Sequence, residues 1–292
     1  MWRALIALLL LAGIARAEPP RVVTSIAPLQ GIVADVMAGV ATPDLLLPTN
    51  ASPHDFALRP SQLRALEQAD VVFYIGLDME PWLIKPLSQA PAFAVALGQS
   101  ASPHKLAIRD LQDFGEGHGH DHDVDSNIDP HVWLHPDNVL LWLDIISGVL
   151  GQIDPDNAEA YTANADAQRA KIIRATDAGL RALAPLENVR LIVTHDSMQY
   201  FEDAFRLTVT GAFSATDGQK AGARSTSRLL SAIDAATCIV EDTGEPSPVL
   251  SRLPDSIRKA KVDPLGLDLL GAPDYYPRLL STLTTALLAC AP

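Results

Sequence analysis

Only two of the 292 residues are cysteine, Cys238 and Cys290, and they lie far apart. The close Cys-x-x-Cys spacing of thiolate zinc sites is therefore absent. So is the His-Glu-x-x-His pattern of helical zinc hydrolases. Basic residues are scarce, with 22 Lys and Arg against 35 Asp and Glu and a formal net charge of −13. That balance argues against nucleic acid or an anionic membrane surface as a partner, and it favours attraction of cations. Beyond the N-terminus, no stretch approaches the roughly twenty uncharged apolar residues of a permanent membrane-spanning helix. No obvious sequence repeat runs along the chain.

The N-terminus reads as an export signal over residues 1–17. Met1-Trp2-Arg3 gives a short basic start, residues 4–14 are apolar, and Ala15-Arg16-Ala17 is a small-x-small cleavage site before Glu18. No cysteine stands near the cleavage point, so a lipid anchor is not expected. Cleavage would leave 275 residues and, by removing Arg3 and Arg16, take the formal charge from −13 to −15. An exported chain, periplasmic in a bacterium, would keep Cys238 and Cys290 in an oxidising compartment, where they are expected to form one disulfide.

The rest of the chain alternates strand-like and helix-like segments. Strand patterns occupy residues 21–27, 44–47, 71–75 and 93–97, with helical spacing over 28–37 and 61–68. A second set begins near Arg190, with strands over 190–194, 207–213, 237–241 and 261–262. Helices are expected there over 197–205, 225–236, 249–259 and 275–289. Such alternation predicts an α/β fold of two lobes, each with a central parallel sheet flanked by helices. The expected divisions are 18–154 for the N-terminal lobe, 155–185 for a linking helix and 186–292 for the C-terminal lobe. Pro155 suits the start of that long helix and Pro185 its stop. A break near Gly179 is the alternative. Residues 115–126, rich in Gly, His and Asp, are too polar to bury themselves and are expected to form a mobile loop.

Six of the eight histidines fall into a pattern. His54 follows a strand by a proline-containing loop, His131 sits in Asp129-Pro130-His131-Val132-Trp133, and His195 directly follows the strand at 190–194. His118, His120 and His122 interleave with Asp121 and Asp123 in the polar loop. In open parallel sheets, ligands collect at the carboxyl ends of strands, so residues distant in sequence can meet in a cleft between lobes. Asp263, after the strand at 261–262, stands at an equivalent place. Three imidazoles and a carboxylate would complete a tetrahedral site for Zn²⁺. His135, Asp268 or a water remain alternatives for the fourth position. The histidine-rich loop would hold cations loosely and raise their local concentration.

The segments carrying these residues resemble, in order, those of the cluster A-I solute-binding proteins, the zinc and manganese receptors of ABC importers. They are Pro48-Thr49-Asn50-Ala51-Ser52-Pro53-His54-Asp55-Phe56, Gly76-Leu77-Asp78-Met79-Glu80-Pro81-Trp82, Asp129-Pro130-His131-Val132-Trp133-Leu134, Val193-Thr194-His195-Asp196 and Asp263-Pro264-Leu265-Gly266. The likeness covers essentially the whole chain after the signal. It implies two parallel-sheet lobes joined by a long helix, with metal between them, and it carries the ligand role onto His54, His131, His195 and Asp263. Two positions depart from it. Asn50 stands where glycine is usual, and Pro53 where some zinc members have a glutamate. Manganese receptors of the family have a carboxylate at the third ligand, and this chain has His195. Imidazole favours zinc over the harder manganese ion.

The expectation is therefore a monomeric periplasmic receptor, not an enzyme, that captures Zn²⁺ and delivers it to an ABC transporter permease. A periplasmic metallochaperone is a further expected partner. The rivals are a manganese or iron receptor of the same family and a zinc-dependent hydrolase. The hydrolase would need a general base, for which Glu241 and Asp196 are the candidates.

Overall fold

The computed structural model describes residues 18–292 apart from 77–78, 101, 110, 112–127, 216–221 and 245–246. The expected export signal and the histidines of the polar loop, His118, His120 and His122, lie outside the described residues.

The first half of the chain builds a four-stranded parallel sheet. Its elements are β1 (Val22–Thr24), α1 (Ala27–Val36), β2 (Asp44–Leu45), α2 (Pro60–Gln68), β3 (Val71–Tyr74), α3 (Pro81–Leu87), β4 (Phe93–Ala96) and the short α4 (Leu97–Ser100). The strand order is β2-β1-β3-β4. Two longer helices follow, α5 (Pro136–Ile153) and α6 (Ala158–Leu183). The second half repeats the plan with β5 (Arg190–Val193), α7 (Gln199–Phe205), β6 (Thr208–Ala212), α8 (Ala223–Ala232), β7 (Thr237–Asp242), β8 (Arg258–Val262) and α9 (Tyr275–Leu287). Its order is β6-β5-β7-β8, again all parallel. In both sheets the first strand in sequence lies inside the second. Each sheet thus has a switch point between its two central strands, where loops diverge and leave a crevice.

The strands are apolar because both faces of a parallel sheet are covered. Val22, Val23, Val71, Val72, Phe73, Leu191, Ile192, Val193, Ile239 and Val240 are all buried. Residues 249–259 do not form the expected helix. They hold a 3₁₀ turn over Pro248–Arg252, and β8 begins at Arg258. Pro254 cannot continue a helix, and pairing with β7 claims the residues after it.

The linking element is one unbroken helix. α6 runs for 26 residues, about 39 Å at 1.5 Å per residue, between 3₁₀ turns at Pro155–Asn157 and Ala184–Leu186. Its buried stripe is Tyr161, Ala165, Gln168, Ile172, Gly179 and Leu183. Gly179 marks close packing rather than a break. A Cβ there would come within 2.5 Å of the Phe205 ring. α6 packs on α1 and α5 and on α9, so it touches both halves of the fold.

A polar junction ties the same elements. The Asp35 carboxylate of α1 accepts the backbone N–H groups of Asp274 (2.9 Å) and Tyr275 (2.8 Å) at the start of α9. Asp274, in the left-handed region at φ 60°, accepts from Gln168 (3.0 Å) and Lys171 (2.5 Å) of α6. Cys238 of β7 and Cys290 beyond α9 form the expected disulfide. Closing a loop of 52 residues stabilises by about 4 kcal/mol in the chain-entropy account.

Candidate metal centre

Three segments from different parts of the chain bring one histidine each to a cavity of about 260 Å³. His54 comes from the loop after β2. The Trp82 indole of α3 donates to the Pro53 carbonyl at 2.8 Å and fixes that loop one residue before the imidazole. Glu80, two residues earlier, is fully enclosed, and its oxygens accept from the Ser25 hydroxyl (2.5 Å) and the N–H groups of Ile75 (3.0 Å) and Gly76 (2.9 Å). Burial pushes its carboxyl up to about 7, against those three bonds.

His131 precedes the 3₁₀ turn Val132–Leu134 that leads into α5. Asp129, also buried, takes the His131 N–H at 2.9 Å and sits 2.8 Å from its Nδ1. Burial raises the Asp129 carboxyl to about 7, against the bond from the His131 N–H; once ionised it can only accept, which places the imidazole proton on Nδ1 and leaves the Nε2 lone pair for a ligand. Burial, reinforced by the nearby His195, pushes the imidazole down to about 3, so it is neutral at any physiological pH. His195 leaves the end of β5 with its Nδ1 3.4 Å from Asp242, the last residue of β7. The Asp242 N–H bonds the Thr194 hydroxyl (2.9 Å), locking the ends of the two strands together. Asp242 also accepts from Ser197 (3.1 Å) and Gly244 (2.9 Å). Burial opposes its ionisation. The bond to His195 and the charge there outweigh that and hold the carboxyl below its usual range.

The ring centroids are 5.4 Å apart for His54 and His131, 5.7 Å for His54 and His195, and 5.2 Å for His131 and His195. One nitrogen from each lies within 4.8 Å of the others. The cavity wall joins residues 49–54, His131 and Trp133 of the first half to His195, Ser197, Asp242 and Pro264 of the second.

Asp263 is not in this group. Its two oxygens accept the backbone N–H groups of Leu265 (3.0 Å) and Leu267 (2.6 Å), folding the turn after β8. That turn offers the Pro264 carbonyl to the Trp133 indole at 3.0 Å, a bond between the two halves at the cavity edge. Asp268 is exposed, and His135 stacks on His104 in a separate cluster. The carboxylate the sequence reading missed is Asp242. The signal was available, because it ends a strand beside the one that presents His195. The sequence points to its neighbour Glu241 only as a candidate base of the hydrolase rival. Side chains alternate along a strand, so Glu241 faces Lys261 at 3.3 Å while Asp242 faces the cavity. The other candidate base, Asp196, is gripped by Arg109 at 2.9 and 3.1 Å.

A model of the family described as zinc-uptake complex component A, periplasmic (ZnuA), matches residues 22–290. The chain belongs to the ZnuA family. The high-affinity zinc uptake system protein ZnuA of Brucella abortus is 31% identical over 310 residues, covering 94% of this chain and 92% of its own length. ZnuA of Paracoccus denitrificans is 32% identical over 313 residues, with 94% and 93% covered. A manganese-binding lipoprotein, MntA of Halalkalibacterium halodurans, is more distant at 24% over 280 residues, with 92% and 87% covered. Among solved structures, a crystal structure of ZnuA superposes with a TM-score of 0.77 at 22% identity, covering 94% of this chain and all of that one. The periplasmic zinc-binding protein TroA of Treponema pallidum gives 0.74 at 19%, covering 92% and 99%. These structures share the two-lobed fold.

Proposed function

We propose that this protein is a periplasmic receptor that captures Zn²⁺ between His54, His131 and His195 and hands it to the membrane permease of an ABC-type importer. The observation that carries the reading is the convergence of three imidazoles from distant segments in one cavity, with His131 held neutral by its burial. Zn²⁺ takes imidazole nitrogen at about 2.0–2.1 Å in a tetrahedral shell, which calls for nitrogens about 3.4 Å apart. The three nitrogens lie within 4.8 Å of one another, so any approach the ion requires is on the order of an ångström. Asp129 and Asp242 orient His131 and His195, as carboxylates do behind metal-bound imidazoles. Water completes the shell.

Three nitrogens and no carboxylate ligand suit zinc better than manganese. Neither residue weighed as a hydrolytic base is free to act as one, since Glu241 faces Lys261 and Asp196 is paired with Arg109. A receptor rather than an enzyme is the reading these contacts support. Action as a monomer and loading by a periplasmic metallochaperone belong to the same proposal.

Titration of the metal-free protein with Zn²⁺ in competition with Mn²⁺ tests it. The expected result is one tight Zn²⁺ equivalent that Mn²⁺ does not displace, lost in His195→Ala. Preferential binding of Mn²⁺ would overturn the metal assignment. Retention of the tight equivalent in His195→Ala would overturn the site.

A further inference from the structure

Outside the cavity, a second set of nitrogen and oxygen donors lies together. His104 and His135 stack with ring centroids 3.6 Å apart and planes 12° from parallel. The His135 Nε2 is 3.5 Å from an Asp203 oxygen of α7, and the His104 Nδ1 is 3.9 Å from the same oxygen. One donor atom from each of the three residues falls within 4.8 Å of the others. We propose that His104, His135 and Asp203 form a second divalent-cation site, of the class that takes Zn²⁺, with Asp137 as the residue that orients His104. The inference stands apart from the reading of the cavity, because the two sites share no residue.

Four features make this more than a chance meeting of surface groups. First, His104 Nε2 lies 3.2 Å from the Asp137 carboxylate. A carboxylate only accepts, so Nε2 carries the proton and the Nδ1 lone pair is left on the side of Asp203. This is the carboxylate–imidazole–metal arrangement common to protein metal sites. Second, the backbone is fixed by a buried side chain. Asn138 accepts the His104 N–H at 2.9 Å and donates to the carbonyls of His104 (3.0 Å) and Val132 (2.9 Å). Third, His135 is only 6% exposed at its side chain, and burial followed by the neighbouring His104 lowers its proton affinity. Fourth, neither Asp137 nor Asp203 is ion-paired with Lys or Arg among the described residues. No described basic side chain is thus placed to take either carboxylate from a cation.

Binding requires one rearrangement. In the metal-free protein the His135 Nδ1 accepts the Asp137 N–H at 3.2 Å, capping α5, so its own proton sits on Nε2. Coordination through Nε2 moves that proton to Nδ1 and releases the long capping bond. Asp137 is exposed, so its N–H turns to water. The rings must also splay from their stack. His104, on a loop and 37% exposed, is the one with room to turn. These demands make the site weaker than the cavity.

The tautomer change gives the test. Long-range imidazole ¹H–¹⁵N spectra of the full-length protein would be followed during a Zn²⁺ titration, which resolves each histidine. The first equivalent should move His54, His131 and His195. Further equivalents should move His104 and shift His135 from the Nε2-protonated to the Nδ1-protonated form. In His104→Gln and in Asp203→Asn the response of His135 should vanish while the cavity histidines still take the first equivalent. Asp137→Asn should weaken the second event by about tenfold. A His135 that keeps its Nε2 proton through a large excess of Zn²⁺ would refute the site. So would a His135 response that persists unchanged in either variant.

Discussion

At the scale of single residues, the two carboxylates Asp263 and Asp35 do work that their sequence context conceals. Asp263 follows a strand at the edge of the cavity, which is where a ligand is expected. Two backbone N–H groups of its own turn occupy its oxygens instead. On the proposed three-histidine site its effect on the metal would be indirect, through the Pro264 carbonyl that Trp133 grips. Asp263→Asn, which keeps one acceptor in place, should retain one tight Zn²⁺ equivalent by calorimetry with affinity reduced by no more than about tenfold. Loss of that equivalent would return Asp263 to the ligand shell. Asp35 offers a pH signature. Burial raises its carboxyl from 3.8 to about 6, against the two N–H bonds it accepts. The folded state thus holds the proton more tightly than the unfolded chain does. The stabilisation this provides is complete below pH 3.8 and is lost as the pH rises through about 6. Asp35→Asn removes the titration. In denaturant unfolding of the metal-free protein, the stability of the natural chain relative to this variant should fall by roughly 2 kcal/mol between pH 4 and pH 7. A difference that does not change with pH would show that Asp35 ionises normally.

At the scale of elements, close helix contacts depend on residues too small to leave a periodic signal. Gly31 of α1 is the sharpest case. A Cβ there would lie 2.1 Å from the Tyr275 ring of α9, a buried and rigid neighbour. Gly31→Ala should push α1 from α9 and cost about 1–3 kcal/mol in thermal or denaturant unfolding. Gly148→Ala in α5, where nothing lies within 4 Å, should instead gain roughly 0.5–1 kcal/mol from helix propensity. Equal effects of the two would show that α1 and α9 are not in such contact. The same logic explains what was legible in the sequence. Apolar runs of four or five residues exposed the strands, because a sheet covered on both faces needs them. Prolines exposed the ends of α6. Gly179 reads as a possible break until Phe205 is seen against it. The segment at 249–259 has helical spacing in Val249, Leu250, Leu253 and Ile257, but it sits beside an edge of β7 that needs a partner. Among the candidate site residues, the convergence of His54, His131 and His195 was legible because each stands at a strand end or beside proline. Asp242 was not, because only strand register distinguishes it from Glu241.

At the scale of the whole molecule, the connections between the halves restrict how the cavity opens. α6 is continuous, and it packs on helices of both sheets. The Asp35 junction binds α1, α6 and α9 at one place, and the bond from Trp133 to Pro264 binds the halves at the cavity edge. A wide hinge motion would have to break these contacts together, at the cost of buried hydrogen bonds worth about 1 kcal/mol each and of the apolar surface around them. The loops that carry the histidines are held less firmly. His54 sits in a long connection tied by the Trp82 bond to Pro53 and by its own N–H to the Ser52 hydroxyl at 3.3 Å, and residues 243–244 follow directly on Asp242. Capture of the ion should therefore draw in loops rather than close lobes. Small-angle scattering should give a radius of gyration near 19 Å, as expected for a compact chain of this length, unchanged on adding Zn²⁺. Hydrogen exchange should slow in residues 49–56 and 195–197 over the same titration. A clear contraction in scattering, with exchange also slowing along α6, would show that the spine bends and that the lobes themselves move.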